Sequence, residues 1–240
     1  MLKDAPRRAI VQVANREIVF EGESWETANT LINHAVGGEL IYEPAETAVF
    51  RDLISPNSVV FDVGAHIGYY SLMAAAIHSS VRVFAFEILD RFASEIARHA
   101  SRNSLASQIE IIPEPIGKTG APVAYESFAG YGRKQATSLD DFCFQRGLRP
   151  DVIKMDIEGY EVDALNGANW ILREARPTLI VSIHPAMIIN LGSEPGALLD
   201  ILRAHQYAIF RLAGDESEPL TSVPRELCTL LCLPDISATT

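Results

Sequence analysis

From residue 58 onward, short apolar runs alternate with segments in which apolar residues recur at helical spacing. The runs are Ser58–Val63, Val81–Phe86, Gln108–Ile112, Val152–Ile157 and Thr178–Ile183. Continuous apolar character over so few residues predicts strands buried on both faces. The periodic segments predict helices over Tyr69–His78, Asp90–Asn103, Ser138–Arg146, Tyr160–Arg173 and Gly196–His205. In the second of these, Phe92, Ile96 and Ala100 fall at i, i+4 and i+8. Pro113–Arg133 is rich in Pro and Gly and reads as loops with room for a hairpin. Tyr207–Leu212 and Leu227–Leu233 follow as strands with no helix between them, an antiparallel pair at one edge. Alternation of strands and helices implies a parallel sheet with right-handed crossovers.

The first 55 residues follow another pattern. Two β-rich runs flank Ala14-Asn15-Arg16 within Ala9–Phe20, a small hairpin. Ser24 reads as an N-cap, with Thr27 in the first turn of a helix to about His34, broken by Gly37-Gly38. Pro44 opens a second helix of roughly ten residues before the turn signal Ser55-Pro56-Asn57. The division expected is an N-terminal hairpin and helical cap over 1–55, then a Rossmann-like domain over 56–240.

Composition narrows the class. A chain of 240 residues with 48% hydrophobic content supports one domain with a sizeable core and excludes general disorder. The net charge of −11 disfavours nucleic acid and a polybasic membrane role. Three cysteines, Cys143, Cys228 and Cys232, make neither a disulfide framework nor a zinc site. The N-terminus carries no signal-like apolar core, and no stretch nears the ~18 apolar residues of a membrane span. The expected location is the cytoplasm.

Chemistry is expected beyond the carboxyl ends of the strands. The first strand runs into Asp62-Val63-Gly64-Ala65-His66-Ile67-Gly68. A nicotinamide fingerprint needs glycine where His66 stands, and Asp62 would repel pyrophosphate while suiting an ammonium group. Glu87 ends the next strand, 19 residues after Gly68, the spacing of a ribose-binding acid. In Lys154-Met155-Asp156-Ile157-Glu158-Gly159-Tyr160-Glu161, alternation puts Lys154 and Asp156 on one face, where burial obliges them to pair. Glu161, at a helix start, is accounted for by the helix dipole. His184 ends the fifth strand beside Asp156 and is a ready proton acceptor.

These blocks carry a resemblance. Tyr42-Glu43-Pro44, Val60 through Ser71, Phe86-Glu87, Arg102-Asn103 and Ile153 through Glu161 together resemble the FkbM-type family of S-adenosylmethionine-dependent methyltransferases. The likeness runs from about Tyr42 to Pro185, and the last block is its most specific part. It implies a class I sheet of seven mostly parallel strands, helices on both faces and an antiparallel C-terminal edge. It implies S-adenosylmethionine as cofactor, held through Glu43, Asp62, Gly64, Ala65, His66, Gly68, Tyr70, Glu87, Asn103, Ile116 and Asp156. Asn103 and the Pro115–Gly117 loop would face the adenine. His66 stands where the family commonly has Asn, and Ser182 where Glu is expected.

The reaction expected is O-methylation of a hydroxyl on a sugar or natural-product small molecule. His184 is the first candidate base and Lys154 the second, with Asp156 and Glu158 orienting the acceptor or the base. No oxygen-ligand cluster points to a divalent metal. Neither nucleic acid nor membrane is expected as a partner, and a homodimer is allowed. Two rivals stand: an NAD-linked oxidoreductase on a similar sheet, and a non-catalytic protein that only binds S-adenosylmethionine.

Overall fold

The computed structural model describes residues 8–22, 27, 30, 33–127, 130–213 and 216–235. The N-terminal part holds β1 (Arg8–Val13), β2 (Arg16–Glu21), β3 (Ala35–Val36), β4 (Glu39–Leu40) and α1 (Pro44–Leu53). Next come β5 (Val59–Val63), α2 (Tyr69–Ile77), β6 (Arg82–Phe86), α3 (Asp90–Arg102) and β7 (Ile109–Ile112). A hairpin of β8 (Pro122–Ser127) and β9 (Gly130–Gln135) precedes α4 (Leu139–Arg146), β10 (Val152–Met155) and α5 (Glu161–Asn166). The chain continues through β11 (Thr178–Ile183), α6 (Pro185–Asn190), α7 (Pro195–Ala204), β12 (Tyr207–Ala213), β13 (Glu216–Pro219) and β14 (Cys228–Pro234).

The main sheet has eight strands in the order β7-β6-β5-β10-β11-β14-β12-β13. From β7 to β11 neighbours run parallel, and β14, β12 and β13 each pair antiparallel with their neighbours. The seven expected strands are all present. The eighth, β13, escapes a hydropathy reading because Glu216–Pro219 is polar. The expected C-terminal pair is antiparallel, with β14 inserted between β11 and β12.

Side chains alternate between two faces, as a pleated strand requires. Val60, Val83, Ala85, Val152 and Ile180 share a core with α2, α3 and the inward residues of β1 and β2. Phe61, Phe84, Phe86, Ile153 and Leu179 face Phe142, Leu165 and Leu198 from the helices of the other side. Phe61 meets Phe84, Phe86 and Phe142 edge-on at 5.5, 5.5 and 5.6 Å. Truncating it to Ala would cost about 3–5 kcal/mol.

Several predicted elements differ in detail. The helix from Ser24 lies outside the described residues apart from Thr27, Thr30 and its last two positions. Gly37 and Gly38 form the turn between β3 and β4, with φ of 62° and 90°. Two successive positive φ values suit a tight hairpin turn. The helix expected over Tyr160–Arg173 is interrupted after Asn166. There Gly167 packs so closely that an added Cβ would lie 2.6 Å from Gly117 O. Chain direction resets, and the Asp140 carboxylate accepts from Trp170 N (2.8 Å) and Ile171 N (3.0 Å) to start a π-helical turn over Ile171–Ala175. The strand through Asp156 stops at Met155, and α6 follows His184 where no helix was expected.

The cap sheet, β2-β1-β4-β3, packs over α2 and α3. His99, fully buried on α3, reaches Glu21 O and Ile67 O, both at 3.0 Å. Asn103 accepts from Val19 N (2.8 Å) and donates to Val19 O (2.9 Å) and His99 O (2.8 Å).

Candidate active site

The strand order reverses between β5 and β10: from β5 the chain adds β6 and β7 on one side, then β10 and β11 on the other. In open α/β sheets, ligands bind beyond the strand ends at such a switch point. Here β5 and β10 end together, with Asp156 N donating to Val63 O at 2.9 Å. The turn after β5 is locally demanding. Gly64 has φ 86°, and an added Cβ would sit 1.9 Å from Asp156 O, so no other residue fits without displacing the β10 end. His66 adopts φ 50°, a region where Asn, Asp and His are the tolerated side chains. His66 is thus one of the side chains this backbone position admits. Gly68, at φ 85°, opens α2.

Glu87, one residue past β6, is buried. Its two carboxylate oxygens accept from His66 N at 2.8 Å and Leu89 N at 2.7 Å. Burial pushes its pKa up to about 7 against those bonds. Each oxygen retains a lone pair for a further donor.

A polar row crosses the cap-facing side of the sheet. Asp62 and Lys154 are direct partners in the β5–β10 register, and Ser182 follows on β11. Lys154, 2% exposed, donates to Ser182 Oγ (3.1 Å) and Asp156 Oδ2 (3.4 Å), and its Nζ stands 5.1 Å from the Tyr70 ring centroid. The pairing inferred for Lys154 and Asp156 is thus present. Ser182 supplies an acceptor where a carboxylate was expected, leaving Asp156 as the carboxylate directly bonded to Lys154. Asp62 accepts from Ser71 Oγ at 2.6 Å; burial raises its pKa to about 6, opposed by that bond and by Lys154. Glu43, at φ 42° before α1, accepts from Tyr70 Oη at 2.7 Å. Its pKa is also raised by burial, against the pull of Lys154 and Tyr70.

Tyr42, Gly64, His66 and Asp156 line both a small cavity of about 30 Å³ and a neighbouring cleft of about 630 Å³. Glu43, Ala65, Tyr70, Asp62 and Lys154 line the former; Glu87, Pro115, Ile116 and Glu158 line the latter. Val123, Ala124 and Tyr125 of the β8–β9 hairpin roof the cleft. Lys134 anchors that hairpin to Ile88 O (2.8 Å), Asp90 Oδ1 (3.0 Å) and Pro113 O (3.2 Å). The sequence left room for a hairpin within Pro113–Arg133 but did not mark it as part of the cleft, because β9 (Gly130–Gln135) is polar and carries no alternating apolar pattern.

Asn103 is absent from the lining of both cavities. It ends α3, roughly 20 Å from the Asp90 end by helix rise, and its amide is occupied by Val19 and His99. Its place is a brace for the cap, away from the cleft. His184 lines neither cavity. It sits behind Asp156, with Nε2 3.5 Å from Asp156 Oδ1 and Nδ1 2.8 Å from Glu161 Oε1. Desolvation lowers its pKa, but the hydrogen bond to Glu161 and the charges of Asp156, Glu161 and Glu158 outweigh it, and the net direction is upward. Among the described residues no group of three or more His, Cys, Asp or Glu is arranged to hold a metal ion.

A glycine turn at the switch point, an acid ending the next strand and an antiparallel last strand wedged beside the fifth define a class I methyltransferase fold. Residues 62–209 match the Methyltransferase FkbM domain, and the chain belongs to that family. Its fold is similar to an FkbM methyltransferase from Methylobacillus flagellatus KT (20% identity, TM-score 0.51), over 78% of this chain and 50% of that one. It is similar also to a TehB-like SAM-dependent methyltransferase from Corynebacterium glutamicum (11% identity, TM-score 0.52), over 88% and 97%. A curated relative is the AMB antimetabolite synthetase AmbE of Pseudomonas aeruginosa, 22% identical over 85% of this chain. The chain spans 12% of that synthetase's length and half that of the Methylobacillus protein. No helix among the described residues is long and apolar enough to cross a membrane.

Proposed function

We propose that the chain transfers a methyl group from S-adenosylmethionine to a hydroxyl oxygen of a small polar acceptor, a sugar or another natural product. The observation that carries the cofactor assignment is Glu87. A buried carboxylate tied to the glycine turn through His66 N, with lone pairs to spare on the cleft side, suits the two hydroxyls of a ribose. The remaining lining supports a cation and disfavours pyrophosphate. Asp62, Glu43 and Asp156 surround the turn, whereas a dinucleotide would need donors there. The cleft volume of about 630 Å³ suits a nucleoside-sized ligand with an acceptor beside it.

When bound, S-adenosylmethionine supplies an electrophilic methyl group on its sulfonium sulfur. The protein's part is alignment, for which positioning alone is worth about 7–11 kcal/mol. Glu87 would hold the ribose, Asp62 and Glu43 the methionine end, and Ile116 and Phe86 the base. Asp156 and Glu158 hold the acceptor hydroxyl. Its proton passes by way of Asp156 to His184 Nε2, which stands 3.5 Å from Asp156 Oδ1, a contribution of about 10²–10⁴-fold. Lys154 fixes Asp156 and keeps Asp62 and Glu43 from binding protons too tightly. The net charge of −11 favours a small acceptor over a nucleic acid.

Isothermal titration tests the cofactor. Micromolar binding of S-adenosylmethionine, lost in Glu87→Ala, is expected; binding of NADH in its place would support the oxidoreductase reading instead. An acceptor screen follows, in which turnover abolished by Asp156→Ala with binding retained would separate an enzyme from a binding protein.

A further inference from the structure

Glu161 enters none of the roles above, and its surroundings are unusual for an acid at a helix start. It is fully buried, whereas acids placed there for the helix dipole stand in solvent. Burying a carboxylate costs several kcal/mol unless partners compensate. Among the described residues its ion-pair partner is His184 alone. One oxygen, Oε1, takes both His184 Nδ1 at 2.8 Å and Gly159 N at 3.0 Å, and the buried Oε2 has no hydrogen-bond partner. The approach is enforced by the backbone. Glu158 sits at φ 49° and Gly159 at φ 105°, where an added Cβ would press to 2.8 Å of Met187 Cβ on α6. That tight turn brings α5 against the His184–α6 junction.

We propose that Glu161 is the positioning residue of this site: it fixes His184 with the proton on Nδ1, directed inward, so that Nε2 faces Asp156 Oδ1. The geometry reads outward as a chain, from Glu161 Oε1 to the imidazole, then to Asp156 Oδ1, then to Lys154 and Ser182. A free imidazole divides between two tautomers, and a ring with its proton on Nε2 presents no lone pair to Asp156. A buried acceptor on Nδ1 removes that ambiguity and raises the ring's basicity. The titratable groups facing His184 are Glu161 on α5, Asp156 at the end of β10 and Glu158 in the turn between them; Lys154 acts through Asp156. The inference rests on the methyl-transfer reading for what the base serves, while the ring's orientation is testable with no acceptor at all.

The experiment is a nitrogen-15 and carbon-13 histidine titration by NMR on the full chain. The chain has six histidines, and His184→Gln assigns the signal. In the wild type, the neutral ring is expected with its proton on Nδ1. In Glu161→Gln, which keeps shape and removes charge, its proton affinity should fall about tenfold or more, as loss of a neighbouring opposite charge implies. The remaining histidine signals, unmoved, show that the variant is folded. A wild-type neutral ring protonated on Nε2, or an unchanged midpoint in the variant, would overturn the proposal, and the first of these needs no variant to fold. Failure of the wild type to bind S-adenosylmethionine would defeat the methyl-transfer reading and leave both titration outcomes decisive for Glu161.

Discussion

At the scale of single residues, the site concentrates acids around one buried cation. Lys154 is bonded to Asp156 and Ser182 and lowers the proton affinity of both Asp62 and Glu43. Lys154→Met should therefore destabilise the fold by about 3–5 kcal/mol at neutral pH, because breaking a buried pair strands its partners. Chemical denaturation checks it, and the loss should shrink as pH falls and the carboxyls take up protons. Asp62 and Glu87 titrate in the folded protein at about 6 and about 7, above their ordinary values of 3.8 and 4.5. The folded state thus binds protons more tightly than the unfolded chain. The stability this confers is whole below the unfolded pKa values and is lost as pH rises through the folded ones. Thermal melts should show a fall between about pH 4 and about pH 7. For Asp62 alone, about two units correspond to about 3 kcal/mol. Asp62→Asn should flatten the lower part of that decline.

At the scale of elements, what was readable in the sequence is what local chemistry decides. The apolar runs located β5, β6, β7, β10 and β11 because these strands are mostly buried, with Asp62, Lys154 and Ser182 as buried polar exceptions and Glu110 as an exposed one. Pro44 and Ser138 marked helix starts, and Ser138 does cap α4 by accepting from Asp141 N at 3.0 Å. Glu87, Asp62, Asp156 and His184 were legible as strand-end groups, and the structure gathers them around the switch point. What was not legible depends on contacts distant in sequence. The break at Gly167 is set by Gly117 and Asp140. The placement of Asn103 is set by Val19, 84 residues earlier. Glu161 looked like a dipole-placed acid because its burial follows from α6, an element the pattern did not announce. Asn103→Ala should cost about 1–3 kcal/mol through the exposed Val19 groups, measurable by denaturation, while S-adenosylmethionine affinity changes less than in Glu87→Ala. Gly64→Ala should fail to accumulate folded protein, since the new methyl group would occupy the position of Asp156 O.

At the scale of the whole molecule, the cleft is assembled from three separately anchored parts. The sheet supplies the floor and its acids, the β8–β9 hairpin a roof, and the N-terminal segment the wall around Tyr42 and Glu43. In the proposed function, Tyr42 and Glu43 would shield the methionine end of the cofactor. The roof is held through Lys134, so Lys134→Met should weaken cofactor binding several-fold by calorimetry while melting temperature moves little. The cost falls on ordering the hairpin as the ligand binds.

The wall has a tighter link to the floor than its separation in sequence implies. His99 touches the end of β2 through Glu21 O and the glycine turn through Ile67 O. Its ring is one rigid plate with a contact on either side. A displacement of the outer hairpin would therefore bear on the glycine turn through this ring. Substitutions on β2 that shift Glu21 O, remote from any reacting atom, are expected to read out as altered S-adenosylmethionine affinity by calorimetry.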